Sequence, residues 1–285
     1  MTIFYDPRCV EYCSPGHPER PERIARTVPL LKERHRDWTW REPHEATDDQ
    51  LLRAHSRRHI ESISRARIDF DADTLSYPSI EMHARRSASA AVEVARCALQ
   101  GGRAFSLMRP PGHHATRDRA MGFCYFSNAA IAAFDALETN VKRIAIWDFD
   151  GHHGNGTEAI VARIEQIRFA SIHQFPAYPG TGAKSFENIE NDPIAPFTAR
   201  AEIVEIARRS FNRLVAFEPD LLLVSAGFDA YARDPLLQLT LEHDDFAMFG
   251  DWLNQLNIPI AAVLEGGYSE DLPELIDAFL AAWAG

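Results

Sequence analysis

Trp147-Asp148-Phe149-Asp150-Gly151-His152-His153-Gly154-Asn155-Gly156 follows the apolar run Ile144 to Ile146, so carboxylates and imidazoles crowd the point where a buried strand should emerge. In extended backbone, residues two apart point the same way, so Asp150 and His152 can aim at one cation while Asp148 lies behind them on the same face. Three chargeable groups at a strand terminus are costly to bury without a counter-ion. The stretch reads as a metal site at the carboxyl end of a strand.

Working outward, the same pattern of apolar run followed by polar loop recurs. Strands are expected at Thr2–Tyr5, Ala104–Met108, Arg143–Phe149, Arg168–His173, Leu221–Ala226 and Ile258–Leu264. Short apolar runs without strict alternation suit strands covered on both faces. Between them lie amphipathic or Ala-rich stretches of helical length: Glu22–Arg36, Ser79–Gln100, Ser127–Leu137, Ala199–Phe217, Leu241–Leu256 and Asp271–Ala282. This alternation predicts an α/β fold, a central, mostly parallel sheet flanked by helices on both faces. At 285 residues, 46% hydrophobic and 25% charged, with no linker block or internal repeat, residues 1–285 are expected to form one catalytic domain. In open α/β sheets the ligand sits at the carboxyl ends of the strands, and His113, Asp150, His152, Asp229 and Tyr268 all follow apolar runs.

The first residues, Met1-Thr2-Ile3-Phe4-Tyr5-Asp6, lack the basic and long apolar segments of a signal peptide, and no later run approaches a membrane span, so a soluble, cytoplasmic protein is expected. Four irregularly spaced cysteines, Cys9, Cys13, Cys97 and Cys124, argue for reduced thiols; Cys9 and Cys13 lack the second pair a structural zinc would need. A net charge of −11 argues against a general basic surface for nucleic acid and suits a cationic substrate such as a lysine-rich peptide or a polyamine.

A catalytic zinc takes three protein ligands and keeps one position open. Asp150, His152 and Asp229, the last just after the apolar run from Leu221, supply three, and the pKa of a bound water can then fall to about 7. Such Asp/His sets also accept iron. Amide hydrolysis further needs a group that takes a proton from water and returns it to the departing amine, a task suited to the pair His113-His114 after Arg109-Pro110-Pro111-Gly112. Tyr268, in Leu264-Glu265-Gly266-Gly267-Tyr268, follows glycines that let the backbone approach closely and is a candidate oxyanion donor. Taken singly, the His pair reads rather as a turn with satisfied imidazoles and the tyrosine as a packing residue. The Asp-x-Asp-x-His-His run gives them a common target.

Taken together, Arg109-Pro110-Pro111-Gly112-His113-His114-Ala115, Gly122-Phe123-Cys124-Tyr125-Phe126, the run from Asp148 to Gly156, Gly227-Phe228-Asp229 and Leu264-Glu265-Gly266-Gly267-Tyr268 resemble the histone deacetylase superfamily over nearly the whole chain. Gly16-His17-Pro18-Glu19-Arg20-Pro21-Glu22-Arg23 is similar to the opening signature of its bacterial and class II members. The resemblance implies the arginase-deacetylase fold, with zinc on Asp150, His152 and Asp229. It implies His114 as general base and acid, His113 as a second, electrostatic histidine backed by Asp148, and Tyr268 as the residue that binds the substrate carbonyl. It also implies a potassium ion held by Asp148, Asp150, the His152 carbonyl, Ser171 and the Ile172 carbonyl. Phe123 and Tyr178 match the aromatic walls of an acyl-amine channel that Gly122, Gly267 and Leu236 complete. Asn155 stands where class I members carry Asp, which is the class II pattern.

The loop Arg233-Asp234-Pro235-Leu236-Leu237 departs from the family's Gly-flanked Asp-Pro. Polyamine-specific relatives carry an acidic gatekeeper at the position of Leu236, so leucine tilts the substrate toward an acetyl-lysine peptide, with an acetylated polyamine as the alternative. Asp71 and Asp73, on a rim loop, are candidates for holding a peptide backbone, although isolated acids on a polar loop are commonly just solvated. Two-manganese, arginase-like relatives would need Asp at positions 154 and 231, where this chain has Gly154 and Tyr231. A silent acyl-lysine-binding scaffold is the non-enzymatic alternative, and the complete residue set argues against it.

Overall fold

The computed structural model describes residues 1–285. Eight strands build its sheet: β1 (Thr2–Phe4), β2 (Thr39–Arg41), β3 (Ala104–Ser106), β4 (Ile144–Asp148), β5 (Ile167–Gln174), β6 (Ile189–Ile194), β7 (Leu221–Ala226) and β8 (Ile260–Leu264). They form one sheet in the order β2-β1-β3-β8-β7-β4-β5-β6, every neighbouring pair parallel. Every residue of β4, β7 and β8 is buried, so both faces of the central sheet are covered. That is why these strands read as continuous apolar runs.

The helices are α1 (Glu22–Ala25), α2 (Thr27–Arg34), α3 (Asp48–Ala54), α4 (Arg57–Ser64), α5 (Ile80–Leu99), α6 (Asn128–Leu137), α7 (Asn155–Val161), α8 (Arg200–Ala216), α9 (His243–Asn254) and α10 (Leu272–Ala284). Helices α5 and α6 pack on each other, and both are rich in buried alanines such as Ala91, Ala95, Ala129 and Ala133, whose small side chains permit close approach. Trp147 of β4 lies 5.0 Å from Phe211 of α8 and 6.1 Å from Trp252 of α9, centroid to centroid. Those rings anchor α8 and α9 to the sheet.

All six expected strands and all six helical stretches contain observed elements, with boundaries shifted by a few residues. The expected helix Glu22–Arg36 is two helices. Pro29, in the first turn of α2, has no N–H to continue the ladder back to Ala25, and the axis breaks there. Strands β2 and β6 were not expected from sequence. Both are edge strands, and Ile189-Glu190-Asn191-Asp192-Pro193-Ile194 carries the polar residues and proline that only an edge tolerates. Helices α3, α4 and α7 were also missed, although α3 carries a capping box: Gln50 N–H donates to Thr47 Oγ1 at 3.3 Å and Thr47 N–H to Gln50 Oε1 at 2.9 Å.

Register places the site. Asp148 pairs with Ser225 on β7 and Ser171 on β5, Ser225 pairs with Val263 on β8, and Val263 pairs with Ser106 on β3. One row across five strands therefore marks the level beyond which the loops at 109–114, 149–156, 227–229 and 265–268 begin.

Candidate metal centre and acyl channel

Asp150, His152 and Asp229 offer ligand atoms that all lie within 4.8 Å of one another, on buried side chains. His152 Nδ1 is 2.6 Å from Asp229 Oδ2 and 3.5 Å from Asp150 Oδ1. The remaining carboxylate positions are held by backbone donors: Gly151 N–H to Asp229 Oδ1 at 2.6 Å, His152 N–H to Asp150 Oδ1 at 2.8 Å and Gly266 N–H to Asp150 Oδ2 at 2.6 Å. A Cβ on Gly266 would lie 2.5 Å from Asp150 Oδ2 and 2.7 Å from Asp229 Oδ2, so only glycine lets the backbone reach both acids. Burial disfavours a charged His152 ring, but Asp229 and Asp150 outweigh it and push its pKa up to about 10. Two buried carboxylates converging on one imidazole are a donor set that fits a divalent cation.

The two neighbouring histidines meet opposite surroundings, their rings 4.0 Å apart. His113 Nδ1–H donates to Asp148 Oδ2 at 3.1 Å; burial opposes its charge, yet Asp150 and Asp148 hold its pKa well above the ordinary value. His114 Nδ1–H donates to Asn155 Oδ1 at 2.7 Å, which leaves Nε2 as the lone-pair nitrogen. Burial, then repulsion from His113 and His152, drives its pKa well below the ordinary value. Asn155 thus meets His114 with a neutral amide oxygen.

Tyr268 and His114 line one cavity of about 260 Å³ with His152, Phe123, Gly122, Tyr178 and Leu236. Tyr178 meets His114 edge-on at 5.1 Å, and Phe123 meets Tyr268 edge-on at 5.7 Å. Gly122 keeps φ at +56°, and a side chain there would strike the His114 ring. Gly267, at φ +116°, turns the chain just before Tyr268 but does not itself line the cavity. Burial raises the Tyr268 pKa well above 10 despite the Arg23 guanidinium 5.0 Å over its ring, so the phenol keeps its proton.

The rim acids separate. Asp71 Oδ1 accepts from the backbone N–H of Asp73 at 3.1 Å and of Thr74 at 2.7 Å, and so closes the turn. Asp73 lines the cavity, its carbonyl 3.1 Å from His17 Nε2. Asp148 and Ser171 are register partners on adjacent strands, and Ser171 Oγ pairs with His173 Nδ1 at 3.0 Å. Neither of the two further positions of a two-metal pattern offers a carboxylate. A side chain at Gly154 would collide with the Asp148 carboxylate, and Tyr231 is directed to Asp271 Oδ2 at 2.9 Å.

Several residues inside the quoted stretches have a task that the sequence does not assign. Asp234 accepts from Tyr268 N–H at 2.7 Å and Leu236 N–H at 3.0 Å, so one carboxyl holds both the tyrosine and the channel wall. Arg23 donates to the carbonyls of Gly267, at 2.7 Å, and Glu265 beneath the same loop. His153 bridges Thr181 Oγ1 at 2.8 Å and Glu158 Oε2 at 3.0 Å, tying the loop that bears Tyr178 to α7. All three are buried, and their place inside those stretches was the available signal. A second buried cluster, His113, Cys124 and Glu265, is also compact, but both Glu265 oxygens are engaged by protein donors and Cys124 Sγ–H donates to the Gly122 carbonyl at 3.2 Å. Cys9 is buried and Cys13 exposed, both free thiols.

A family model described as "Histone deacetylase domain" matches residues 17–283. The chain therefore belongs to the histone deacetylase domain family. It is 36% identical to a protein of Methanothermobacter thermautotrophicus named "Probable deacetylase", over 95% of this chain and 86% of that one. The crystal structure of the HDA15 HD domain superimposes with a TM-score of 0.92 at 27% identity, covering 100% of this chain and 91% of that one. That of acetylpolyamine aminohydrolase from Burkholderia pseudomallei does so with a TM-score of 0.90 at 27% identity, covering 100% and 99%. The α/β fold expected from the sequence is thus the deacetylase fold, and no helix is long and apolar enough to cross a membrane.

Proposed function

We propose that this chain is a zinc-dependent deacylase that removes a short acyl group, most simply acetyl, from an N-acylated primary amine, with the acetyl-lysine side chain of a peptide as the favoured substrate. Zinc bound by Asp150, His152 and Asp229 would act as a Lewis acid and lower the pKa of water. His114, with Nε2 free, takes the proton from the attacking water and returns it to the departing amine. His113, hydrogen-bonded to Asp148, adds electrostatic stabilisation, and the Tyr268 hydroxyl donates to the oxyanion. Phe123, Tyr178 and Leu236 hold the alkyl chain, Gly122 allows close approach, and Gly267 turns the backbone that presents Tyr268. Potassium held by Asp148, Asp150, Ser171 and the carbonyls of His152 and Ile172 would stiffen the zinc loop. The carrying observation is convergence: the three-ligand cluster, the oriented His114 and the protonated Tyr268 meet at one cavity of about 260 Å³.

Leucine at position 236 supports the peptide, because it offers no partner to a distal ammonium. Asp73, on the cavity wall, would hold the peptide backbone. The likeness to an acetylpolyamine aminohydrolase supports a second reading, an acetylated polyamine. Release of free amine from an acetyl-lysine peptide and from an acetylated polyamine, by metal-stripped protein with and without added zinc or ferrous iron, tests both. Zinc-restored turnover of the peptide is expected. Preference for the polyamine would overturn the peptide assignment. Silence on both despite bound metal would overturn the deacetylase reading in favour of another acyl group or a binding-only scaffold.

A further inference from the structure

Glu265 has no exposed surface and lies beneath the histidine pair, outside every role assigned above. Its Oε2 accepts the backbone N–H of Gly112 at 2.7 Å and of His113 at 3.1 Å, and its Oε1 accepts the Ser225 hydroxyl at 3.1 Å. Ser225 is the register partner of Asp148 on one side and Val263 on the other. A single carboxyl therefore joins the ends of β7 and β8 to the loop that leaves β3 and carries both imidazoles.

The loop's other ties lie on either side of these two N–H groups: before them, the Pro110 carbonyl accepts from Ser87 Oγ at 2.7 Å and Asn128 Nδ2 at 3.3 Å. The His113 carbonyl accepts from the N–H of Gly156 at 2.9 Å and of Thr157 at 3.0 Å, which fixes its outgoing side to α7. The incoming N–H groups of Gly112 and His113 turn instead to Glu265. Buried backbone donors must be paired, and two donors on one carboxylate fix position and direction together.

We propose that Glu265 is a positioning residue that clamps the Gly112–His113 backbone and so sets His113 and His114 toward the metal-ligand cluster. It touches neither substrate nor metal ligands, and it acts through the two imidazoles. Burial, partly offset by His113, pushes its carboxyl up to about 7, in keeping with a group retained for geometry. The inference rests on the deacylase reading.

Substitution separates the clamp from simple packing. Glu265→Gln keeps an oxygen for both N–H groups, and its NH₂ can donate to the Ser225 hydroxyl, which accepts as well as donates. Glu265→Ala leaves two buried donors without an acceptor. With zinc-loaded proteins, Glu265→Ala is expected to lower kcat roughly 10- to 100-fold, with KM little changed and zinc retained, as for other groups that orient active-site side chains. The ring resonances of His113 and His114 in a histidine-labelled NMR spectrum should move. Glu265→Gln should restore kcat to within about threefold and return the resonances toward wild type. Glu265→Asp, with the carboxyl drawn back, should fall between them and serves where the alanine variant does not fold.

Wild-type kcat with unmoved resonances in the alanine or aspartate variant would overturn the clamp. So would a glutamine variant as impaired as alanine, which would assign the effect to charge. Resonances moving as expected in a protein whose wild type cleaves neither substrate would leave the clamp standing and sink the deacylase reading instead.

Discussion

At the floor of the cleft Asp148, Asp150 and Asp229 have no exposed surface, and backbone N–H groups of residues 150, 151, 152 and 266 hold them in place. At the mouth Tyr178 is 39% exposed, Leu236 is half-buried, and the Asp73 carboxylate accepts no hydrogen bond from the protein. The floor hangs from the ends of adjacent buried strands, whereas the mouth hangs from loops at 69–76, 175–182 and 233–237. A strand end fixes a side chain through the sheet's register, while a loop fixes it only through ties such as Asp71 to Thr74 or Asp234 to Leu236. On the proposed function the floor sets the reaction, and the mouth sets which amine enters.

Substitutions that break this division are the sharpest tests. Removing a metal ligand, as in Asp229→Ala, should abolish zinc binding and bring turnover to background, with no recovery on adding zinc; metal analysis alongside the amine-release assay checks both. His114→Ala should keep zinc and lower kcat roughly 10²- to 10⁴-fold, the range for a positioned proton-transfer group. Retained kcat would move the base role elsewhere, with His113 the next residue to test. Tyr268→Phe removes one hydroxyl and leaves the ring against Phe123, so kcat should fall about a hundredfold or more with KM little changed. Unchanged turnover would sink its role as oxyanion donor.

The same division explains what was legible in the sequence. Asp150, His152 and Asp229 stand out because a central strand reads as a continuous apolar run and a charge at its end is conspicuous. The outer strands lack that contrast: Thr39–Arg41 pairs on one side only, and Ile189–Ile194 carries Glu190, Asn191 and Asp192. Asp234 and Glu265 were quoted within motifs but given no task, because their work is to accept backbone N–H groups from residues far away in sequence. Glu265 grips Gly112 across more than 150 positions. No periodicity records such a contact, since register and loop closure are needed to create it. Asp71 and Asp73 look alike in sequence for the same reason, and only the turn makes one a tie and leaves the other free.

The mouth also predicts the smallest effect. Leu236 sits on the cavity wall beside Tyr268, where an acidic side chain would face a distal ammonium of an acetylated polyamine but little on a neutral peptide. The Leu236→Glu pair would be exposed and screened, in the range of roughly 0.2–1 kcal/mol, so polyamine preference should rise by a factor of about 1.4 to 5 in kcat/KM. The effect should shrink with added salt, because the Debye length falls from about 10 Å at 0.1 M to about 3 Å at 1 M. Turnover of the acetyl-lysine peptide should change little, since Leu236 is held by its backbone N–H to Asp234, and glutamate keeps that bond. A gain that survives high salt would place the ammonium in a desolvated pocket. No gain would mean that the free Asp73 carboxylate already supplies the charge at the mouth, and that leucine at position 236 does not select against polyamines.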